Sequence, residues 1–178
     1  GNTDSLLITV SVTDVNETPI AADWFDSGWD FRKAVTIGAA QVSGSLTDFP
    51  VLVSITDLGL RGGAQADGDD ILFTSADGTT KLAHEIESYN SATGELRAWV
   101  KTDLSAGQDT VLYLYYGNAA VASQQDPTNV WKTHFVGVWH LDQEPGGTGS
   151  VRDSLEQHHG TPHGNMDAAV DWLRTKGL

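Results

Sequence analysis

Between Thr36 and Val138, short runs of alternating apolar and polar residues, rich in Val, Ile, Tyr and Trp, give way repeatedly to turns of Gly, Asp and Asn. Successive side chains on a strand point to opposite faces, so this period of two describes half-buried antiparallel strands. The pattern predicts strands over residues 33–37, 49–56, 70–74, 82–89, 96–101, 110–116 and 134–141. Turns are marked by Val42-Ser43-Gly44, Ala76-Asp77-Gly78 and Ser91-Ala92-Thr93-Gly94. An α/β scheme would need helices of about ten or more residues between strands, and none is written here. The expected fold class is therefore all-β, an antiparallel β-sandwich of the jelly-roll or immunoglobulin-like kind. In a strand over 82–89, Leu82, His84 and Ile86 should face the core while Ala83, Glu85 and Glu87 face water.

The two ends read differently. Residues 6–13 alternate cleanly and stop at Asp14-Val15-Asn16-Glu17-Thr18-Pro19, where acidic residues and a proline end the run, as in the last strand of a preceding domain. An aromatic cluster, Trp24-Phe25 and Trp29, opens the next domain. Near the other end, residues 165–177 read as a single short C-terminal helix: Asn165 can cap it, Asp167 suits its positive end, Arg174 and Lys176 suit its negative end, and Gly177 stops it. The expected divisions are 1–19, 20–133, 134–164 and 165–178.

Composition narrows the function classes. The 178 residues carry 24 acidic and 10 basic side chains, a net charge of −14. Nucleic acid or an anionic membrane would need a basic patch, so neither is expected as a partner. Cysteine is absent, which excludes a disulfide framework, a thiolate nucleophile and a Cys-ligated zinc site. No apolar run approaches the roughly twenty residues of a membrane helix, so direct membrane insertion is not expected.

Candidate chemistry is sparse. Asp67 and Asp69, in Asp67-Gly68-Asp69-Asp70, have the oxygens that calcium takes, but not the spacing or bidentate glutamate of an EF-hand loop. Glu85 and Glu87 on one strand face have the carboxylate pairing of a retaining glycosidase, which is also what strand alternation produces unaided. His158, His159 and His163, with His134 and His140, have zinc or nickel donor types without a fixed second-shell pattern. Sugar-binding modules stack aromatic rings on pyranose faces, with carboxylates and amides bonding the hydroxyls. Trp24, Trp29, Tyr116 and Asn118 are the candidates for such a patch, although aromatic rings are also the ordinary fillers of a sandwich core, where the tryptophans are expected as a class.

Several ordered segments carry a family resemblance: Trp29 with Phe31-Arg32, Leu46 to Val53, Gly68 to Thr74, His84 to Tyr89, Ala98-Trp99-Val100, Leu114 to Asn118 and Val130-Trp131. Over about residues 24–133 they resemble a bacterial secreted-protein domain of undescribed function that commonly stands before a concanavalin-A-like lectin/glucanase module. Gly137-Val138-Trp139-His140-Leu141, Asp153-Ser154 and His159-Gly160-Thr161 are similar to the opening of that module. The segment from Asp14 to Pro19 resembles the linker that closes cadherin-like repeats, which implies Asp14, Asn16 and Glu17 as calcium ligands at a domain junction. The last residues resemble a helix of elongation factor Ts, a match that transfers no function.

These readings converge on a non-enzymatic module of a large bacterial surface or adhesin-like protein, extracellular or on the cell surface. It would space or present a ligand-binding neighbour of the same polypeptide, and bind carbohydrate on cell-surface glycans. A carbohydrate-binding module proper and a glycoside hydrolase are the alternatives. Calcium is the one cofactor implied.

Overall fold

Eight strands pair antiparallel into two sheets in the computed structural model, which describes residues 10–13, 24–141 and 146–163. They are β1 (Val10–Thr13), β2 (Phe31–Ile37), β3 (Leu46–Thr56), β4 (Leu72–Ser75), β5 (Lys81–Leu82), β6 (His84–Asn90), β7 (Glu95–Leu104) and β8 (Thr110–Tyr116). Two short helices accompany them, α1 (Leu60–Gly63) and α2 (Pro127–Trp131). The described residues up to Asp126 make one compact unit and those from Pro127 on a second. The first has a five-stranded sheet in the order β1-β2-β8-β4-β5 and a three-stranded sheet in the order β3-β7-β6. The strand at residues 10–13 is hydrogen-bonded to β2, with Val10 opposite Ile37 and Thr13 opposite Ala34.

The expected alternation builds the core. Val35 and Ile37 of β2, Phe73 of β4, and Leu112 and Leu114 of β8 meet Val51, Val53 and Ile55 of β3 and Leu96, Ala98 and Val100 of β7 in one buried cluster between the sheets. Each large side chain placed there contributes roughly 1.5–3 kcal/mol of burial free energy. A second cluster lies on the other face of the larger sheet, where Trp24 and Trp29 cover Leu72 and Tyr115. Arg32 is held there between two rings, 4.7 Å from Trp24 and 4.5 Å from Tyr113, a cation–π sandwich that tolerates a buried guanidinium.

The run expected as one strand over 82–89 is two. The chain leaves the larger sheet after Leu82 and enters the smaller one at His84. Ala83 marks the crossing, its carbonyl accepting from the Lys101 N–H at 2.9 Å. His84 is fully buried as expected, edge-on to Phe73 at 5.4 Å. Among the described residues its Nε2 has no hydrogen-bond partner, while its Nδ1 lies 3.5 Å from the Leu82 carbonyl. Burial, the dominant cause, pushes its pKa down to about 4. The open edge of β6 is covered by the segment after β8: the Asp126 N–H donates to the His84 carbonyl, and Gln125 Oε1 accepts from the Ile86 N–H.

A buried ion pair closes one end of the sandwich. Lys33 Nζ is 2.7 and 2.6 Å from the two oxygens of Asp57, and Asp57 Oδ1 also accepts from the N–H groups of Gly59 and Leu60. Burial raises the Asp57 pKa, but Lys33 and the two amides outweigh it and hold the carboxyl below its ordinary value.

The second unit departs from expectation. No strand forms over 134–141. His134 and Phe135 instead donate to the Trp131 carbonyl at the end of α2, and the backbone of Val138 is taken by Asp153 and Ser154. Phe135, Val136, Trp139 and Leu141 are consequently exposed. Among the described residues the one ladder contact in this unit is an antiparallel bridge between Val151 and Gly160. The helix expected over 165–178 lies outside the described residues.

Candidate functional site

The outer face of the three-stranded sheet is where polar chemistry and an accessible aromatic ring meet. On β7, Leu96, Ala98 and Val100 point into the core, so Arg97, Trp99 and Lys101 point the other way. Trp99 stands opposite Leu52 of β3 on one side and Glu85 of β6 on the other, which lines the three up as one row across the sheet. All three are partly exposed. A second row joins Ser54, Arg97 and Ser88.

A β-bulge completes the arrangement. Ile86 pairs with Ala98 and Ser88 with Arg97, so Glu87 is an extra residue on β6. The bulge shifts the parity of the strand: His84 and Ile86 face inward before it and Tyr89 packs inward after it, while Glu87 and Ser88 are both exposed. Glu87 Oε2 accepts from the Trp99 indole Nε1 at 2.6 Å, a charge-assisted hydrogen bond that fixes the ring against the sheet. Arg97 pairs with Glu95 at 2.6 Å on the same face. The result is one aromatic ring, orientation set, bordered by an aliphatic side chain, carboxylates, hydroxyls and a guanidinium.

The rings singled out for stacking, Trp24, Trp29 and Tyr116, are placed elsewhere, in the interior. Trp24 and Trp29 are only 7% and 5% exposed and Tyr116 only 3%. Their faces are occupied by their own chain: Trp24 packs edge-on to Tyr115 at 5.3 Å, Trp29 edge-on to Phe25 at 5.3 Å, and Tyr116 stacks on Phe31 at 5.1 Å. Their indole N–H groups are spent on backbone carbonyls, Trp24 on Trp29 and Trp29 on Asp70. Asn118 is a backbone anchor, its N–H bound by Asp70 and its carbonyl by Gln65. The three rings of this set are buried, and Asn118 is partly exposed.

Asp67 and Asp69 sit together in one turn, where Asp67 Oδ1 accepts from the Asp69 N–H at 3.2 Å. Their neighbour Asp70 is wholly buried and accepts from the N–H groups of Gln65, Gly117 and Asn118. Among the described residues no group of three or more His, Asp or Glu side chains converges as a metal site. Asp14, Asn16 and Glu17 lie outside the described residues.

In the second unit, Asp153 is a structural hub. It is fully buried, and its oxygens accept from the N–H groups of Val138, Leu155, Gln157 and His158. Burial alone would raise its pKa, but the four amide donors prevail and lower it. His159 is drawn into the same loop, its Nδ1 accepting from the Asp153 N–H and its Nε2 lying 3.2 Å from Glu156.

Sequence reasoning missed Trp99. The signal was present, since a tryptophan flanked two residues away by Arg97 and Lys101 shares the polar face of its strand.

Residues 67–147 match the model of a protein family described as a domain of unknown function, DUF2341. The matched span contains Glu85, Glu87 and Trp99. No curated protein and no solved structure matches the chain.

Proposed function

We propose that this chain is a non-catalytic β-sandwich module of a larger bacterial surface polypeptide, extracellular, and that it binds neutral regions of glycans on the outer face of its three-stranded sheet. The observation that carries the reading is the row Leu52, Trp99 and Glu85, with the indole pinned by Glu87. A pyranose stacks its C–H face on an indole, and the surrounding carboxylates and hydroxyls accept and donate to the sugar hydroxyls. The acidic balance of the chain agrees with a partner that is not nucleic acid.

The non-catalytic part of the proposal draws on the fate of the carboxylate pair. Glu87 holds the Trp99 indole and stands exposed on a sheet face, whereas a retaining glycosidase aims both carboxyls, about 5 Å apart, at one glycosidic bond. Neighbouring cadherin-like and lectin-like modules, and calcium at the upstream junction, belong to the same proposal as the context in which such a module spaces and presents its partners.

A glycan array probed with the wild-type chain and with Trp99→Ala tests it. Signal on neutral oligosaccharides that disappears in the variant, with an unchanged far-ultraviolet circular dichroism spectrum, supports the reading. Equal signal from both proteins, or none from either, overturns it.

A further inference from the structure

The geometry points to a second, independent binding site: a groove at one open end of the sandwich that takes a single neutral or amine-bearing sugar residue and rejects acidic ones. The groove is shallow and open, offering about 490 Å³ between the start of β3, the end of β4, the end of β7 and the start of β8. That lies within the roughly 300–1,000 Å³ of small-molecule sites. Its apolar floor includes the buried Leu104 and Leu112, and its walls carry the hydroxyls of Ser75, Thr102, Ser105 and Thr110.

Two carboxylates give the groove its character. Asp103 Oδ1 accepts from the Asp48 N–H at 2.9 Å, and Asp109 Oδ1 accepts from the Ala39 N–H at 2.8 Å. Each side chain is thereby held by one oxygen, and both carboxylates are exposed, so each keeps acceptor capacity beyond its backbone bond. The rim is shaped by a bulge in β3: Leu46 pairs with Leu104 and Phe49 with Thr102, so Thr47 and Asp48 together face Asp103. Asp48 takes a left-handed conformation there, φ 53°, which aspartate tolerates better than most residues. Bulges of this kind re-aim side chains beside functional sites, and Thr47 is one of the lining residues.

The lining contains no Lys, Arg or His. A uronate or sialate would therefore bring a third negative charge to two anchored carboxylates with nothing to neutralise it. Sugar hydroxyls donate to a carboxylate without that penalty, and an ammonium adds a charge-assisted bond. With no aromatic ring in the wall, a single sugar residue should bind weakly, with a dissociation constant on the order of millimolar.

The test is an ¹⁵N-labelled sample of the chain titrated in turn with D-glucosamine, D-glucose and D-glucuronate. Glucosamine should shift the amide resonances of Thr47, Ser105 and Gln108 most, glucose less, and glucuronate not at all at the same concentration. Asp103→Asn and Asp109→Asn keep an oxygen for the backbone bond, so both should fold, and each should weaken glucosamine binding about tenfold. Trp99→Ala should leave these shifts unchanged, which separates failure of this site from failure of the outer face. Groove amides that respond to none of the three sugars, that respond equally to glucuronate, or that fall silent in Trp99→Ala overturn the proposal.

Discussion

The Trp99 indole and the Glu87 carboxylate meet at 2.6 Å at the point where β6 carries one residue more than its partner strand requires. Without that bulge the strand would keep a strict period of two, and Tyr89, which packs against the core, would exchange faces with Ser88. The bulge thus keeps Tyr89 on the core and Ser88 on the outer face. Removing the carboxylate with Glu87→Ala should leave the fold in place, cost under about 1 kcal/mol at this exposed position, and free the ring to reorient. Tryptophan fluorescence anisotropy should fall in the variant while its melting temperature moves by only a few degrees.

His84 should make the sandwich acid-sensitive. Its folded pKa of about 4 lies below the ordinary value of 6.5, so the unfolded chain binds the extra proton first. Stability is then fully present above about pH 6.5 and declines as the pH falls toward the folded value. Between pH 7 and pH 5 the loss amounts to about 2 kcal/mol. Urea titrations at the two pH values measure it, and His84→Leu should remove most of the difference, because leucine fills the site beside Phe73 without a proton to gain.

The ion pair of Lys33 with Asp57 should behave as a buried one. Removing one partner strands the other charge, so Lys33→Met should destabilise by roughly 3–5 kcal/mol. Asp57→Leu should cost at least as much, since the amides of Gly59 and Leu60 lose their acceptor as well. The double variant should fall short of the sum of the two, and a double-mutant cycle in denaturant reads the coupling directly. Because the Asp57 pKa is lowered on folding, its contribution is present above the unfolded carboxylate value of 3.8 and is lost as pH falls through the folded one.

Asp153 should govern the order of its own loop. Asp153→Asn replaces an acceptor oxygen with an N–H₂ group facing backbone donors, so the amides of Val138, Leu155 and His158 should exchange with solvent at least tenfold faster. The same acceleration should appear in the wild-type chain on acidification below about pH 4, since a carboxyl with a lowered folded pKa stabilises above its unfolded value and ceases to do so as it protonates.

Strand existence was legible because a half-buried strand writes its two faces directly into the residue order: β8 over Thr110–Tyr116 has the predicted bounds, and Leu96, Ala98 and Val100 face inward as the alternation requires. Features that depend on tertiary packing were not legible. The crossing between sheets at Ala83 depends on where two sheets end, a tertiary matter on which a continuous β-rich run is silent. Residues 134–141 alternate like a strand, yet the described residues supply no ladder for them, because Asp153 and the end of α2 take the backbone groups a neighbour would need. Asp70 and Asp153 are each a buried acceptor for backbone amides, a role set by tertiary packing that the order of residues does not announce. The end groove was invisible for the same reason, being assembled from turns far apart in sequence. Trp24 and Trp29, candidates for a sugar patch as well as for the core, lie over Leu72 and Tyr115, where the expectation for tryptophans as a class puts them.

The most direct measurement of the central claim is ¹⁹F NMR of the chain labelled with 5-fluorotryptophan. Its six tryptophans give separate resonances, with that of Trp99 assigned by Trp99→Phe. Titration with a neutral oligosaccharide drawn from the array hits should shift the Trp99 resonance and leave those of the buried Trp24 and Trp29 in place. A saturating oligosaccharide that moves Trp24 or Trp29 while Trp99 stays fixed would contradict the account.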